Sequence, residues 1–300
     1  MLLEVMNLRV AFRRDGREIV PVRNVSFTVP EHGRVALVGE SGCGKSLTAL
    51  SLRRLSPTDR AFVSGTVKVP ERIAYVFQNP SDSLNPVMRI RDQIREALPK
   101  GMDRAAQDER IVQLLERTGL PDPQRAARAY PCELSGGQQQ RCMIAMALAA
   151  SPDLLVADEP TTALDVTTQK QVLELIDSLA AETGMAVLLI THNLGLVAGR
   201  MDFVNVMYAG QIVEAGPVVD VLADPRHPYT KGLLAAVPAL DAPRDAPLAN
   251  IPGTVPPPDR WPPGCAFAPR CAMATDACSR GQPPATAVGG RTWSCFVKGS

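Results

Sequence analysis

At 300 residues, 45% hydrophobic and 21% charged, with a formal net charge of +1, the chain can bury one sizeable core and carry an appendage. Near-neutral charge gives no support for broad nucleic-acid binding, so no nucleic acid is expected among its partners. No apolar run approaches the roughly 18 residues that span a bilayer. The start "MLLEVMNLRV" alternates apolar with polar residues and carries Glu4, unlike a secretion signal, so the chain is expected in the cytoplasm.

In chain order, residues 3–10 and 25–38 read as short strands, and "RVALVGE" runs through a glycine-rich turn into the helical pattern "KSLTALSLRRL". From about 84 to 150, "RIRDQIREAL" and "AAQDERIVQLLERTGL" place apolar residues at helical spacing without β-branched runs, which predicts a helical insertion. The short apolar runs "DLLVAD" and "AVLLITH" then read as parallel strands covered on both faces, with the helix "TTQKQVLELIDSLAAE" between them, the grammar of an α/β sheet. After about residue 237 periodicity fades and prolines crowd, as in "VPPPDRWPPG", so this tail needs something besides a core to hold it. The expected organisation is an α/β core over 1–83 and 151–237, a helical subdomain over 84–150, and a Pro/Cys-rich extension over 238–300.

"GESGCGKS", Gly39 to Ser46, fits G-x-x-x-x-G-K-[ST] between a predicted strand and helix, the context a P-loop requires. Glycines let backbone N–H groups of such a loop turn toward phosphate oxygens, and the helix start adds its positive dipole. Lys45 is placed to meet the β- and γ-phosphates of ATP and Ser46 to offer its hydroxyl to Mg²⁺, a hard cation that prefers oxygen. The Cys43 side chain is expected to face away from the nucleotide, with a reactive thiol as the alternative. "LLVADEP" sets Asp158 and Glu159 at a strand end, Asp158 for Mg²⁺ and Glu159 to accept a proton from, or orient, attacking water. His192 ends the strand of "LLITHN", where a ring N–H can meet charge developing on the γ-phosphate.

"LSGGQQQR", Leu134 to Arg141, puts Ser135, Gly136, Gly137 and Gln138 at a helix start, where they are either a second anion cradle or a simple N-cap. The P-loop, "LSGGQ", "DEP", "TALD" and "TH", in that order, resemble the ATP-binding subunits of ABC transporters. The resemblance implies an α/β P-loop NTPase core with an antiparallel β subdomain and a helical subdomain, and two subunits paired head to tail. Each nucleotide would then lie between one P-loop (Gly39, Ser41, Gly42, Cys43, Gly44, Lys45, Ser46 and Leu47) and the partner's signature motif. It implies that Gln78 of "VFQNP" senses Mg²⁺ and γ-phosphate, that Asp165 of "TALD" belongs to an interface loop, and that Phe12 stacks on adenine. A core phenylalanine is the rival reading of Phe12, because "RRDGRE" is inserted after it. "HPYTKGLLAAVP", "IPGTVPPP" and "GCAFAPRC" resemble the C-terminal extension of oligopeptide and dipeptide importer ATPases of the peptide/nickel branch, and "GKSLTALS" is similar to the D-type member of the pair. The resemblance thus implies a paralogous ATPase partner (a homodimer being the alternative), two transmembrane permeases, an extracytoplasmic substrate-binding protein, and a place on the cytoplasmic face of the membrane. The shortened "TVKVPERIAYVFQ" and the "FQNP" variant are similar to nickel-type members, so a nickel or metal-chelate cargo stands beside peptides. A soluble ABC ATPase and an iron–sulfur redox sensor are the rivals outside transport.

Cys265, Cys271, Cys278 and Cys295 follow C-x5-C-x6-C-x16-C in a segment too rich in proline to build much core. A reducing compartment favours liganded over disulfide-bonded cysteines. The spacing lacks the close knuckles usual for zinc and is compatible with wrapping a [4Fe–4S] cube, which the family resemblance also implies; zinc and unliganded cysteines or disulfides are the alternatives. Cys132 and Cys142 read as small buried residues.

Overall fold

The computed structural model describes residues 1–55, 61–162, 164–237 and 250–297, and it divides into two units, Met1–Val69 with Leu189–Ser300, and Pro70–Leu188. In the first unit, Asp15 and Gly16 take positive φ (51° and 73°), the two-residue turn whose twist matches flanking strands. It joins β1 (Leu3–Arg14) to β2 (Arg17–Val29) in an antiparallel hairpin running from Leu3↔Val29 to Arg14↔Arg17. The "RRDGRE" segment is therefore the tip of a hairpin. The single strand expected over 25–38 is broken where the Gly33 N–H bonds to the Pro30 carbonyl at 3.1 Å, and β3 (Arg34–Val38) begins beyond that turn. The helix α1 (Lys45–Ser51) follows Gly44. A strand the sequence pattern did not suggest, β4 (Ala61–Lys68), pairs with the other side of β1, giving the order β2-β1-β4.

The second unit opens with β5 (Ile73–Val76), which pairs in parallel with β6 (Leu154–Asp158), from Ile73↔Leu154 to Val76↔Ala157. Between them run α2 (Pro80–Ser83), α3 (Ile90–Ala97), α4 (Arg104–Arg117), α5 (Pro123–Arg128) and α6 (Gly136–Ala149). Asn79, Asp103 and Asp122 start three of these helices by accepting a first-turn N–H, which satisfies donors a helix leaves orphaned. Ile90, Ile94, Ile111, Leu114, Leu115, Met143 and Ile144 form the buried core of this helical region. The long helix α7 (Val166–Thr183) stops at Gly184, which takes φ 70°, and β7 (Ala186–Thr191), buried along its whole length, carries the chain back to the first unit.

There β8 (Phe203–Tyr208) pairs in parallel with β3 and turns at Ala209-Gly210 (φ 45° and 79°) into antiparallel β9 (Gln211–Pro217). After α8 (Val218–Ala223) and α9 (Pro228–Ala235) comes the proline-rich extension, with α10 (Asp276–Arg280) and a final hairpin, β10 (Ala285–Val288) and β11 (Arg291–Ser294). That hairpin adds to β9 through Thr292↔Ala215 and Trp293↔Glu214, so within this unit the order reads β10-β11-β9-β8-β3. Aromatic and cation–π contacts also hold the extension. Phe267 packs 5.2 Å from the Tyr208 ring and 5.4 Å from that of Tyr229, and the Arg23 guanidinium lies 4.0 Å over Trp261. Backbone pairing and aromatic contacts thus supply what a proline-rich tail cannot bury by itself. No helix among the described residues is long and apolar enough to cross a membrane.

Candidate active site

The first unit carries the phosphate loop. Gly44 holds φ 104°, and a Cβ there would lie 2.8 Å from the Pro21 carbonyl oxygen; at Gly39 it would lie 2.1 Å from that of Met207. Both positions therefore demand glycine. They let the loop backbone close on the carbonyls of Pro21 and Met207, tighter than any side chain would allow. Lys45 is buried, and its Nζ donates to the carbonyls of Gly39 (2.7 Å) and Glu40 (3.1 Å), so the ammonium is already folded over the loop. Ser41, Gly42 and Ser46 are exposed, Leu47 is half-buried, and the fully buried Cys43 thiol has its pKa raised by desolvation. A neutral thiol turned inward contributes to the loop through its backbone. Thr191 at the end of β7 accepts the Gly39 N–H at 3.3 Å, and the next residue, His192, is exposed beside the loop. Phe12 is half-buried on β1, between Ile19 of β2 and Ala61 of β4.

The second unit carries the carboxylates and the signature segment. Because Val76 pairs with Ala157, Gln78 and Glu159, two residues further on each chain, come together: Gln78 Nε2 donates to Glu159 Oε2 at 3.4 Å. Thr162, to which no sequence motif points, donates its hydroxyl to the same oxygen at 2.8 Å. Glu159 has φ 46°, a left-handed backbone that non-glycine residues avoid and that clusters at functional sites. Asp158 and Glu159 are both largely buried. Ser135 caps α6, accepting the Gln138 N–H at 3.3 Å while the Gln138 side chain accepts the Ser135 N–H at 3.0 Å. The N-cap reading of this segment thus holds in the structure; the first-turn N–H groups of Gly136 and Gly137 have no intrahelical acceptor to reach. Asp165 likewise caps α7, and hydrogen bonds from the Thr168 backbone and hydroxyl and the Thr167 N–H hold its carboxyl below the usual range.

The four C-terminal cysteines are all free thiols and line one small cavity with His227, Phe267 and Met273. The Thr275 N–H points at Cys278 Sγ, 3.5 Å away. Among the described residues no group of three or more His, Cys, Asp or Glu side chains is arranged as a metal site. The donor set fits a four-sulfur ligand sphere, whereas the expected closure of the sulfurs around an ion or cluster is not seen.

Residues 22–162 match the ABC transporter family, and residues 213–278 match the oligopeptide/dipeptide transporter, C-terminal region. The chain is 47% identical to a protein of Brucella abortus (strain 2308) described as a peptide import ATP-binding protein, over 98% of this chain and 94% of that one. The chain belongs to the ABC transporter family. A similarly described relative from Brucella ovis is also 47% identical, over 96% of this chain and 94% of its own. Two solved structures of one bacterial ABC cassette share the fold at 25% identity: a dimeric structure (TM-score 0.63) and a dimeric post-hydrolysis state bound to ADP and Pi (TM-score 0.62), each matching 72% of this chain and 98% of itself. As an ABC ATPase, the chain binds and hydrolyses ATP with Mg²⁺, and the glycine-walled loop around Lys45 suits that chemistry.

Proposed function

We propose that this ABC ATPase powers an importer of di- and oligopeptides from the cytoplasmic face of the membrane. It pairs there with a paralogous ATPase subunit and docks on two permeases that receive cargo from an extracytoplasmic substrate-binding protein. The observation that carries this reading is the oligopeptide/dipeptide transporter region over residues 213–278, whose Tyr229 and Phe267 pack against Tyr208, next to the turn after β8, with His227 against Phe267. A nickel or metal-chelate cargo is the alternative, favoured by the short "TVKVPERIAYVFQ" segment. Uptake of labelled dipeptide against labelled nickel by the reconstituted importer separates the two.

In this proposal the core spans 1–83 and 151–237, the helical subdomain 84–150 and the extension 238–300. Lys45 exchanges its two carbonyl partners for β- and γ-phosphate oxygens, while N–H groups of the loop from Gly39 to Leu47 surround the phosphates and Phe12 stacks on adenine. Mg²⁺, when bound, neutralises charge on the phosphate oxygens; Ser46, Asp158 and Gln78 would hold it. Glu159 accepts the proton of attacking water, its carboxylate oriented by the bonds from Gln78 and Thr162 to Oε2. His192 donates to the γ-phosphate as charge builds there. Ser135, Gly136, Gly137 and Gln138 serve the partner's nucleotide, with Asp165 in the loop between subunits. Cys265, Cys271, Cys278 and Cys295 would hold a [4Fe–4S] cluster, or Zn²⁺ as the alternative, which ties the extension together.

Glu159→Gln tests the mechanism: ATP binding is retained and phosphate release falls by about 10²–10⁴-fold, the usual worth of a general base. Undiminished release overturns the assignment. Iron with matching acid-labile sulfide in protein purified without oxygen supports the cluster; zinc supports the alternative, and neither metal removes both.

A further inference from the structure

The second residue of the phosphate loop is itself an acid, Glu40, set where a highly charged triphosphate must enter. Its carboxylate is gripped by both ends of one guanidinium: Arg270 Nη1 donates to Oε2 at 2.7 Å and Nη2 to Oε1 at 2.9 Å. The arginine is the buried partner, 4% exposed against 30% for Glu40. Nε donates to the Pro252 carbonyl at 2.7 Å, Nη2 also reaches the carbonyls of Ile251 and Gly253 at 3.2 and 3.3 Å, and Nη1 lies 3.4 Å from the Tyr208 hydroxyl. The Glu40 backbone is held from the same side, its N–H donating to the Tyr229 hydroxyl at 2.8 Å.

Arg270 sits on the single turn Ala268–Arg270, which cysteines bracket. The Ala268 N–H bonds to the Cys265 carbonyl at 3.0 Å, the Cys271 N–H to that of Ala268 at 3.3 Å, and the Cys265 N–H to that of Cys278 at 2.8 Å. We propose that Arg270 is a positioning residue of the ATP site: it neutralises Glu40 and ties it back, so that triphosphate affinity depends on the cysteine-bracketed turn. Without Arg270, an uncompensated carboxylate stands in the loop that receives the phosphates, next to the lysine meant for them. Like charges at that range oppose binding, and a lysine cannot reproduce the two-pronged grip of a guanidinium. The inference rests on the ATP site and is independent of what the cysteines hold.

Trinitrophenyl-ATP, titrated into the full-length purified chain, reads the effect, with a thermal melt run on every variant. Arg270→Gln is expected to weaken binding by about tenfold, less at high salt, where screening shortens the reach of the charge. Arg270→Lys falls between it and the parent. Glu40→Gln binds more tightly than the parent, and adding it to Arg270→Gln restores the lost affinity. A lowered melting temperature with unchanged affinity overturns the proposal, as does a double variant as weak as Arg270→Gln. Should Arg270→Gln fail to fold, Glu40→Gln decides: affinity at or below that of the parent overturns the proposal. Failure of the ATP assignment is distinct, because the parent chain itself then binds no analogue.

Discussion

His227 illustrates how one buried side chain ties a sequence motif to stability. It caps α9 by accepting the Tyr229 N–H at its Nδ1, 3.0 Å away, and only a neutral ring can accept there. Burial lowers its pKa from 6.5 to about 4. The unfolded chain therefore takes up the proton first as pH falls through 6.5, and the folded chain resists until about 4. Stability from this group is complete above that window and is lost across it on acidification. His227→Asn, which keeps a capping acceptor without a titrating ring, is expected to flatten the melting temperature between those pH values. An unchanged slope places the acid sensitivity elsewhere. Residues of the phosphate loop were legible in the sequence because their chemistry is local: Lys45 and Ser46 declare themselves beside Gly39, Gly42 and Gly44. Arg270 was not, since its partner Glu40 lies 230 positions away and nothing in "APRC" names a carboxylate. Thr162 was passed over because a threonine in "EPTTALD" becomes meaningful only once its hydroxyl is found on Glu159.

At the level of elements, the strands that alternate or run apolar could be read, and the exposed ones could not. The runs giving β6 and β7 are buried from end to end, so their composition carries the signal. By contrast β4 is exposed over nearly all its length and contains Gly65 at φ 103° against the backbone of Asn7. Such a strand is specified by its neighbour β1 more than by its own pattern. The same reasoning applies to the four-residue β10 and β11. Turn chemistry predicts two outcomes. Gly44→Ala must force φ 104° on a residue with a Cβ aimed at the Pro21 carbonyl; a left-handed non-glycine alone costs about 1–3 kcal/mol, so trinitrophenyl-ATP binding is lost and the melting temperature drops. Ser135→Ala removes the α6 cap and lowers stability by about 1 kcal/mol in a denaturant titration. A change below a few tenths refutes the capping role.

For the whole molecule, the lesson lies in how distant stretches share a unit. Residues 1–69 and 189–300 fold together while 70–188 form a unit of their own, a division that linear pattern reading places only approximately, because the change from strand to helix grammar near residue 84 lags behind the change of unit. Glu214 is fully buried on β9 and meets Arg291 of β11 at 3.2 Å. Ending the chain at residue 284 strips that partner away and leaves the backbone of β9 unpaired on one side. The expected result is a lower melting temperature and growth in light scattering on warming, because a bare strand invites pairing between molecules. Equal stability and clear solutions from the shortened chain would mean that β11 contributes nothing.

Strand β11 thus seals a rim that lies far back along the chain. Without Arg291–Ser294 beside it, β9 has a vacant flank, and a chain cut just before them yields a protein with every ATP-handling residue in place yet prone to stick to its siblings. A few backbone pairings remote from the phosphate loop are in this way written into colloidal behaviour.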